Sequence, residues 1–266
     1  MSTPLEQLFE KTRSEKRAAL IAYIPAGFPT IEGCHRIIEA FVEGGVDAIE
    51  IGFPYSDPVM DGPTIQEAAV TALNNGTSAT DVLDALEVAV KTGTPSVVMT
   101  YWNPIEKFGV ENFAQAISDR GGSGVIHPDI TIEESAPWLR ATENSEINPI
   151  YVVALSTSDE RLAKVTAACS GFVYAASIMG VTGARASVST GAEGLVARIR
   201  KTTDLPVAVG LGVSTREQAR GVAAYADGVI VGSAFVKAIL DAPSFEEGLK
   251  AITSLARELS LGVRGQ

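Results

Sequence analysis

The run Asp47-Ala-Ile-Glu-Ile-Gly-Phe-Pro-Tyr-Ser-Asp-Pro-Val-Met-Asp-Gly-Pro-Thr-Ile-Gln66 decides the fold, because it spells one strand, one loop and the start of one helix. Ile49, Ile51 and Phe53 alternate with Ala48, Glu50 and Gly52, a period that predicts a strand. Successive side chains of a strand point to opposite faces. Glu50 therefore shares its face with two of the smallest residues, an unusual setting for a carboxylate. Pro54 ends the strand, and a loop rich in turn formers carries Asp57 and Asp61. Pro63 suits the first turn of the helix that follows. A rigid acid on a strand beside a second acid on a loop is how a pair for general acid–base chemistry can be assembled. The competing reading is a structural glutamate with helix-capping aspartates.

The same unit recurs along the chain. Short runs rich in Val, Ile and Ala predict further strands at residues 19–26, 96–101, 124–129, 149–155, 171–177, 206–212 and 227–232. Helical patterns separate them. Thr30 is placed to cap a helix that runs to Gly44-Gly45, and two helical stretches flank Gly76-Thr77. Others are expected from about residue 110, over 132–141, 159–168, 191–203 and 215–224, and from residue 232 to the C-terminus. Leu5, Leu8 and Phe9 predict a short amphipathic helix ahead of the first strand. Continuous apolar strands alternating with helices are the mark of a parallel sheet covered on both faces. Eight such units predict an α/β fold of the (β/α)8 TIM-barrel type with an extra N-terminal helix, in one domain spanning residues 1–266. An open doubly wound sheet would place its glycine fingerprint after the first strand. Here the glycines gather after the sixth, seventh and eighth.

Composition excludes several functions. The 266 residues are 46% hydrophobic and 20% charged, as in an ordinary globular protein. A net charge of −11 argues against a nucleic-acid surface. No apolar run reaches the ~18 residues of a membrane span, and the charged N-terminus lacks the apolar core of a signal peptide, so the cytoplasm is the expected compartment. Cys34 and Cys169 are the only cysteines and are expected as buried free thiols. With two histidines besides, none in ligand spacing, no metal site is expected.

In a net acidic chain, a phosphate must be held locally by backbone donors. Barrels of this type often hold one after strands seven and eight, at the N-terminus of a short helix. The sequence supplies Gly210-Leu211-Gly212-Val213-Ser214, Gly232-Ser233-Ala234 and Gly180-Val181-Thr182-Gly183 at the ends of three consecutive strands. Glycine permits close backbone approach to an anion, and the Ser233 hydroxyl adds a donor.

These motifs, with Glu50-Ile51-Gly52-Phe53-Pro54-Tyr55-Ser56-Asp57-Pro58, Asp61-Gly62-Pro63-Thr64-Ile65-Gln66 and Met99-Thr100-Tyr101-Trp102-Asn103-Pro104, resemble the tryptophan synthase α subunit family over essentially the whole chain. The resemblance implies a (β/α)8 barrel that cleaves indole-3-glycerol phosphate into indole and glyceraldehyde 3-phosphate. It implies no cofactor in this chain. A pyridoxal-phosphate-dependent β subunit is the implied partner, in an αββα complex. Glu50 and Asp61 are then the catalytic pair. Tyr23, Met99, Ile126, Tyr174, Thr182 and Leu211 are expected to bind the substrate, and Gly183, Gly212, Gly232 and Ser233 its phosphate. Thr182 resembles the threonine that closes over the mobile aspartate.

Some positions depart from the family pattern. Phe28 stands where an aspartate is usual, and the segments Asp129-Ile130-Thr131 and Ala154-Leu155-Ser156 also differ. His127 replaces an apolar residue. If Ile126 faces the barrel interior, His127 faces away as a packed or solvent-touching side chain. Two other functions fit the same residues: a free-standing lyase that releases indole, and a non-catalytic barrel that regulates a β subunit.

Overall fold

The computed structural model describes residues 2–177 and 185–266. Eight parallel strands, paired in sequence order, form a closed barrel. They are β1 (Ala19–Pro25), β2 (Ala48–Gly52), β3 (Ser96–Met99), β4 (Gly124–His127), β5 (Asn148–Ala154), β6 (Val173–Ala176), β7 (Val207–Gly210) and β8 (Gly228–Val231). β8 returns to β1 through the register Ala19 to Gly228 and Ala22 to Val231. Helices surround this barrel: α1 (Pro4–Ser14), α2 (Ile31–Glu43), α3 (Pro63–Asn74), α4 (Ala79–Lys91), α5 (Trp102–Phe108), α6 (Val110–Asp119), α7 (Ala136–Asn144), α8 (Asp159–Ala168), α9 (Arg185–Ile199), α10 (Arg216–Ala223), α11 (Ser233–Leu240) and α12 (Phe245–Val263).

Strand alternation builds two cores. Ile49, Ile51, Val98, Val125 and Val209 face outward and pack with the helices. Ile21, Ala48, Val97, Met99, Ile126, Ile150, Tyr174 and Ile230 face inward and fill the barrel. Leu5 and Phe9 of α1 belong to the inner group, with the Phe9 ring 5.6 Å from Phe172. The extra helix therefore plugs the end where the strands begin. Its own start is set by a reciprocal cap between Thr3 and Glu6, and Thr3 Oγ1 also donates to Asn148 Oδ1 at the head of β5.

Four expected boundaries shift, each for a local reason. Trp102-Asn103-Pro104 continues as helix α5, because proline is tolerated in a first turn; Gly109, at φ 96°, separates it from α6. Helix α7 begins at Ala136, not at residue 132, with Pro137 in its first turn. Helix α9 begins at Arg185, not Gly191. Its start is poor in apolar residues, while Ala192, Leu195, Val196 and Ile199 are buried at helical spacing. The C-terminal helix is two, parted by Pro243 and restarted by the Ser244 side chain, which accepts from Glu247 N–H.

One ion cluster ties both chain ends to the start of β2. Asp47 accepts two hydrogen bonds of 3.0 Å from Arg17, one of 3.1 Å from Arg264 and one of 2.9 Å from Leu20 N–H. The Arg17 and Asp47 side chains are 9% and 8% exposed. Removing one partner of a buried pair strands the other's charge. Asp47→Ala is therefore expected to lower stability by about 3 kcal/mol, read as an earlier urea midpoint at unchanged slope.

Candidate active site

The β2 alternation carries Glu50 inward, in register with Tyr23 of β1 and Val97 of β3. Glu50 is 1% exposed, and among the described residues neither carboxyl oxygen has a hydrogen-bond partner. Burial, and secondly the charge of Asp61, push its pKa up to about 8. At neutral pH the group holds a proton that it can donate. Asp61 reaches the same place from the loop between β2 and α3, where the Tyr101 hydroxyl donates to its Oδ2 at 3.2 Å. Burial raises the Asp61 pKa, and the Tyr101 hydrogen bond opposes that rise.

Both acids line a cavity of about 430 Å³ at the end where the strands' C-termini emerge. Tyr23, Met99, Tyr174, Leu211, Gly212, Gly232 and Ser233 stand in its wall, as the sequence led us to expect. The glycines there have a second task. A side chain on Gly52 or Gly232 would overlap the Tyr23 ring, and one on Gly210 would overlap the Tyr174 hydroxyl. Small residues at the ends of β2, β7 and β8 thus let two tyrosines lie across the barrel mouth beside Glu50. Gly212 sits at φ 72°, a left-handed conformation that disfavours other residues. Gly232 precedes α11, whose first N–H groups lack intrahelical acceptors and suit an anion.

Ile126 does not join this wall. It lies inside the barrel in register with Met99 but is fully buried. Thr182 and Gly183, with Gly180 and Val181, lie outside the described residues. The sequence reading missed Met60, Ile65, Ala176, Ser177 and Ile230, which also line the cavity. Strand parity could have found two of them, since Ala176 follows Tyr174 and Ile230 precedes Gly232 by two residues. His127 faces away from the barrel, 1% exposed, with its ring 4.7 Å from Trp138. Burial lowers its pKa to about 3, so it is a neutral packing residue. Cys34 is buried and Cys169 half-buried, both as free thiols.

A larger cleft, about 860 Å³, lies between α1 and residues 203–206. Its Glu10, Arg13 and Asp204 are exposed to water. Among the described residues no group of three or more His, Cys, Asp or Glu is placed to hold a metal ion. None of their helices is long and apolar enough to cross a membrane.

Catalytic groups of (β/α)8 barrels gather where the strands end, and here that end brings a buried protonated acid against a second acid. Fold and site together define an enzyme of the (β/α)8-barrel class. Comparison with known proteins narrows the class to one family. The family model described as tryptophan synthase alpha chain matches residues 9–263. The tryptophan synthase alpha chain of Streptomyces coelicolor is 53% identical over 263 residues, covering 98% of this chain and 97% of the relative. That of Thermobifida fusca is 50% identical over 265 residues, covering 98% of each. A solved structure of Mycobacterium tuberculosis tryptophan synthase superposes with a TM-score of 0.91 at 46% identity, over 99% of both chains. The chain belongs to the tryptophan synthase alpha chain family.

The raised Glu50 pKa carries a stability cost of known sign. Between its ordinary value of 4.5 and about 8, the folded protein holds a proton that the unfolded chain releases, so this group's contribution to stability falls as pH rises through that window. Glutamine never ionises. Glu50→Gln is expected to raise Tm by about 5 °C at pH 8, with the gain vanishing near pH 4.5. Calorimetry across that range checks it; a gain independent of pH contradicts a buried, protonated Glu50.

Proposed function

We propose that this chain, as one barrel domain, performs the retro-aldol cleavage of indole-3-glycerol phosphate into indole and D-glyceraldehyde 3-phosphate in L-tryptophan biosynthesis. The observation that carries the reading is Glu50: a buried carboxyl with both oxygens unpartnered among the described residues, facing the same cavity as Asp61.

The bond between indole C3 and the glycerol chain breaks only if the ring can accept its electrons. Glu50 donates its proton to C3, which gives the positively charged indolenine. The Asp61 carboxylate stabilises that charge at the ring N–H. Glu50, now a carboxylate, removes the proton from the adjacent glycerol hydroxyl. The carbon–carbon pair collapses into the ring, and the hydroxyl carbon leaves as the aldehyde. One proton enters at C3 and one leaves the hydroxyl, so the acid is restored. Tyr23, Met99, Tyr174 and Leu211 pack the indole. Gly212, Gly232 and Ser233, with Gly183, hold the phosphate on backbone donors, and Thr182 closes over Asp61. These proton transfers ask for no cofactor in this chain; pyridoxal phosphate belongs to a partner β subunit, to which the indole passes in an αββα complex in the cytoplasm. Val59, Met60 and Leu155, exposed apolar side chains on loops that leave the strand ends, support such a partner.

The test is an indole-release assay with and without an added β subunit. Wild type is expected to turn over slowly alone and faster with the partner. Its kcat/KM should fall above pH 8, where free Glu50, with a pKa of about 8, loses its proton. Glu50→Gln should lower kcat at least about 100-fold without unfolding the chain; near-normal turnover would sink the assignment. Ser233→Asp places a negative charge at the start of α11. It should weaken binding of indole-3-glycerol phosphate sharply and of free indole less, as measured by calorimetry; equal weakening would count against this phosphate site.

A further inference from the structure

Two neighbouring carboxyls do not by themselves decide which keeps a proton and which stays charged. Burial raises both, and their mutual repulsion adds to the rise at Glu50. One hydrogen bond breaks the symmetry. Glu50 receives none from the described residues, whereas the Tyr101 hydroxyl donates to Asp61. The same hydroxyl accepts from Met60 N–H at 3.3 Å. A single oxygen on the barrel's rim thus grips two successive residues of the loop, one by side chain and one by backbone.

Tyr101 and its neighbour Trp102 are themselves held in place. Tyr101 is 4% exposed, and its ring centroid lies 5.1 Å from that of Tyr55, whose hydroxyl accepts from Asn103 Nδ2 at 3.0 Å. The next residue, Trp102, opens α5, and both oxygens of Asp129 accept from its N–H, at 3.0 and 3.1 Å. The Trp102 ring lies 6.4 Å from His127 and 6.5 Å from Trp138. Asp129 follows β4 and holds Trp102, on the tail of β3; Tyr101, one residue before Trp102, holds the loop after β2. Among the described residues, the titratable groups that feel the charge of Asp61 are Glu50 of β2, Tyr23 of β1, Tyr101 after β3 and Tyr174 of β6. Among them Tyr101 makes the hydrogen bond.

We propose that Tyr101 is a positioning residue, anchored through the hydrogen bonds of its neighbour Trp102 to Asp129, that aims Asp61 at the cavity and makes it the charged member of the acid pair. Its role rests on the reading of Glu50 and Asp61 as that pair. Tyr101 moves no proton of the substrate; it acts through Asp61. Its hydroxyl stabilises the carboxylate form, because a donor favours the charged acceptor. Binding two adjacent loop residues also lowers the entropy that ordering the loop would cost at each turnover.

The test titrates the Asp61 carboxyl carbon by NMR in wild type, Tyr101→Phe and Asp129→Ala, beside indole release by the assembled complex. Tyr101→Phe should raise the Asp61 titration by about one pH unit, move the acid limb of kcat/KM up with it, and lower kcat about 10-fold. A loss of packing alone would lower the rate without moving the titration. Asp129→Ala should raise the titration by a smaller step. Loss of a nearby negative charge by itself would lower it, so the direction separates positioning from simple electrostatics. An Asp61 titration unmoved in Tyr101→Phe overturns the role of Tyr101. One that moves there and stays or falls in Asp129→Ala overturns the role of Asp129. Absence of indole release in wild type would instead overturn the lyase reading, and the titration would still report on Tyr101.

Discussion

Closing eight parallel strands on themselves gives every strand an inner and an outer face and leaves no edge. Both faces are then sealed, the outer by helices and the inner by the side chains of the other strands. A polar group on the inner face keeps contact with water only near an open end. Leu5 and Phe9 of α1 shut one end, so the mouth at the strands' C-termini is where such a group can serve chemistry. Glu50 stands there, on the inner face of β2 and at the cavity wall. Desolvation, the largest cause of its raised pKa, is a direct consequence of barrel closure.

The second acid differs because it is carried differently. Asp61 belongs to a loop whose conformation is set by a few contacts: Tyr101 to its side chain and Met60, and Gln66 Nε2 to its carbonyl. A strand residue is held by ladder bonds on both sides and cannot turn. A loop residue can approach or withdraw, and its environment changes as it does so. One acid is therefore fixed and dry, and the other adjustable. That division suits a reaction in which one group must relay a proton and the other must meet a charge that exists only briefly.

Glycine serves both halves of the site. At the mouth, Gly52, Gly210 and Gly232 make room for Tyr23 and Tyr174, which line the cavity beside Glu50. Gly212, at φ 72°, and Gly232, just before α11, stand in the wall of the same cavity.

Much of this was legible in the chain itself. Eight apolar runs spaced by helical patterns determine a (β/α)8 barrel, because strand and helix periods are local properties of the sequence. Alternation alone puts Glu50 on the face opposite Ile49 and Ile51 and His127 opposite Ile126; which face is inward was settled by closure of the barrel. Helix starts at Thr30 and Pro63 follow from capping chemistry. Other features required the folded molecule. Helix α5 hid behind Trp102-Asn103-Pro104, and the start of α9 lacks an apolar stripe. Ile126 shows the limit of parity: it faces inward as expected, yet its depth below the mouth depends on strand stagger, which no single strand encodes. The grip of Tyr101 on Asp61 joins residues forty positions apart, and the unpartnered state of Glu50 depends on every wall around it. The sequence determined which way each side chain points, since that is set by neighbours along the chain. Only the tertiary structure decided what each one meets, since burial, pKa and hydrogen-bond partners are set by neighbours in space.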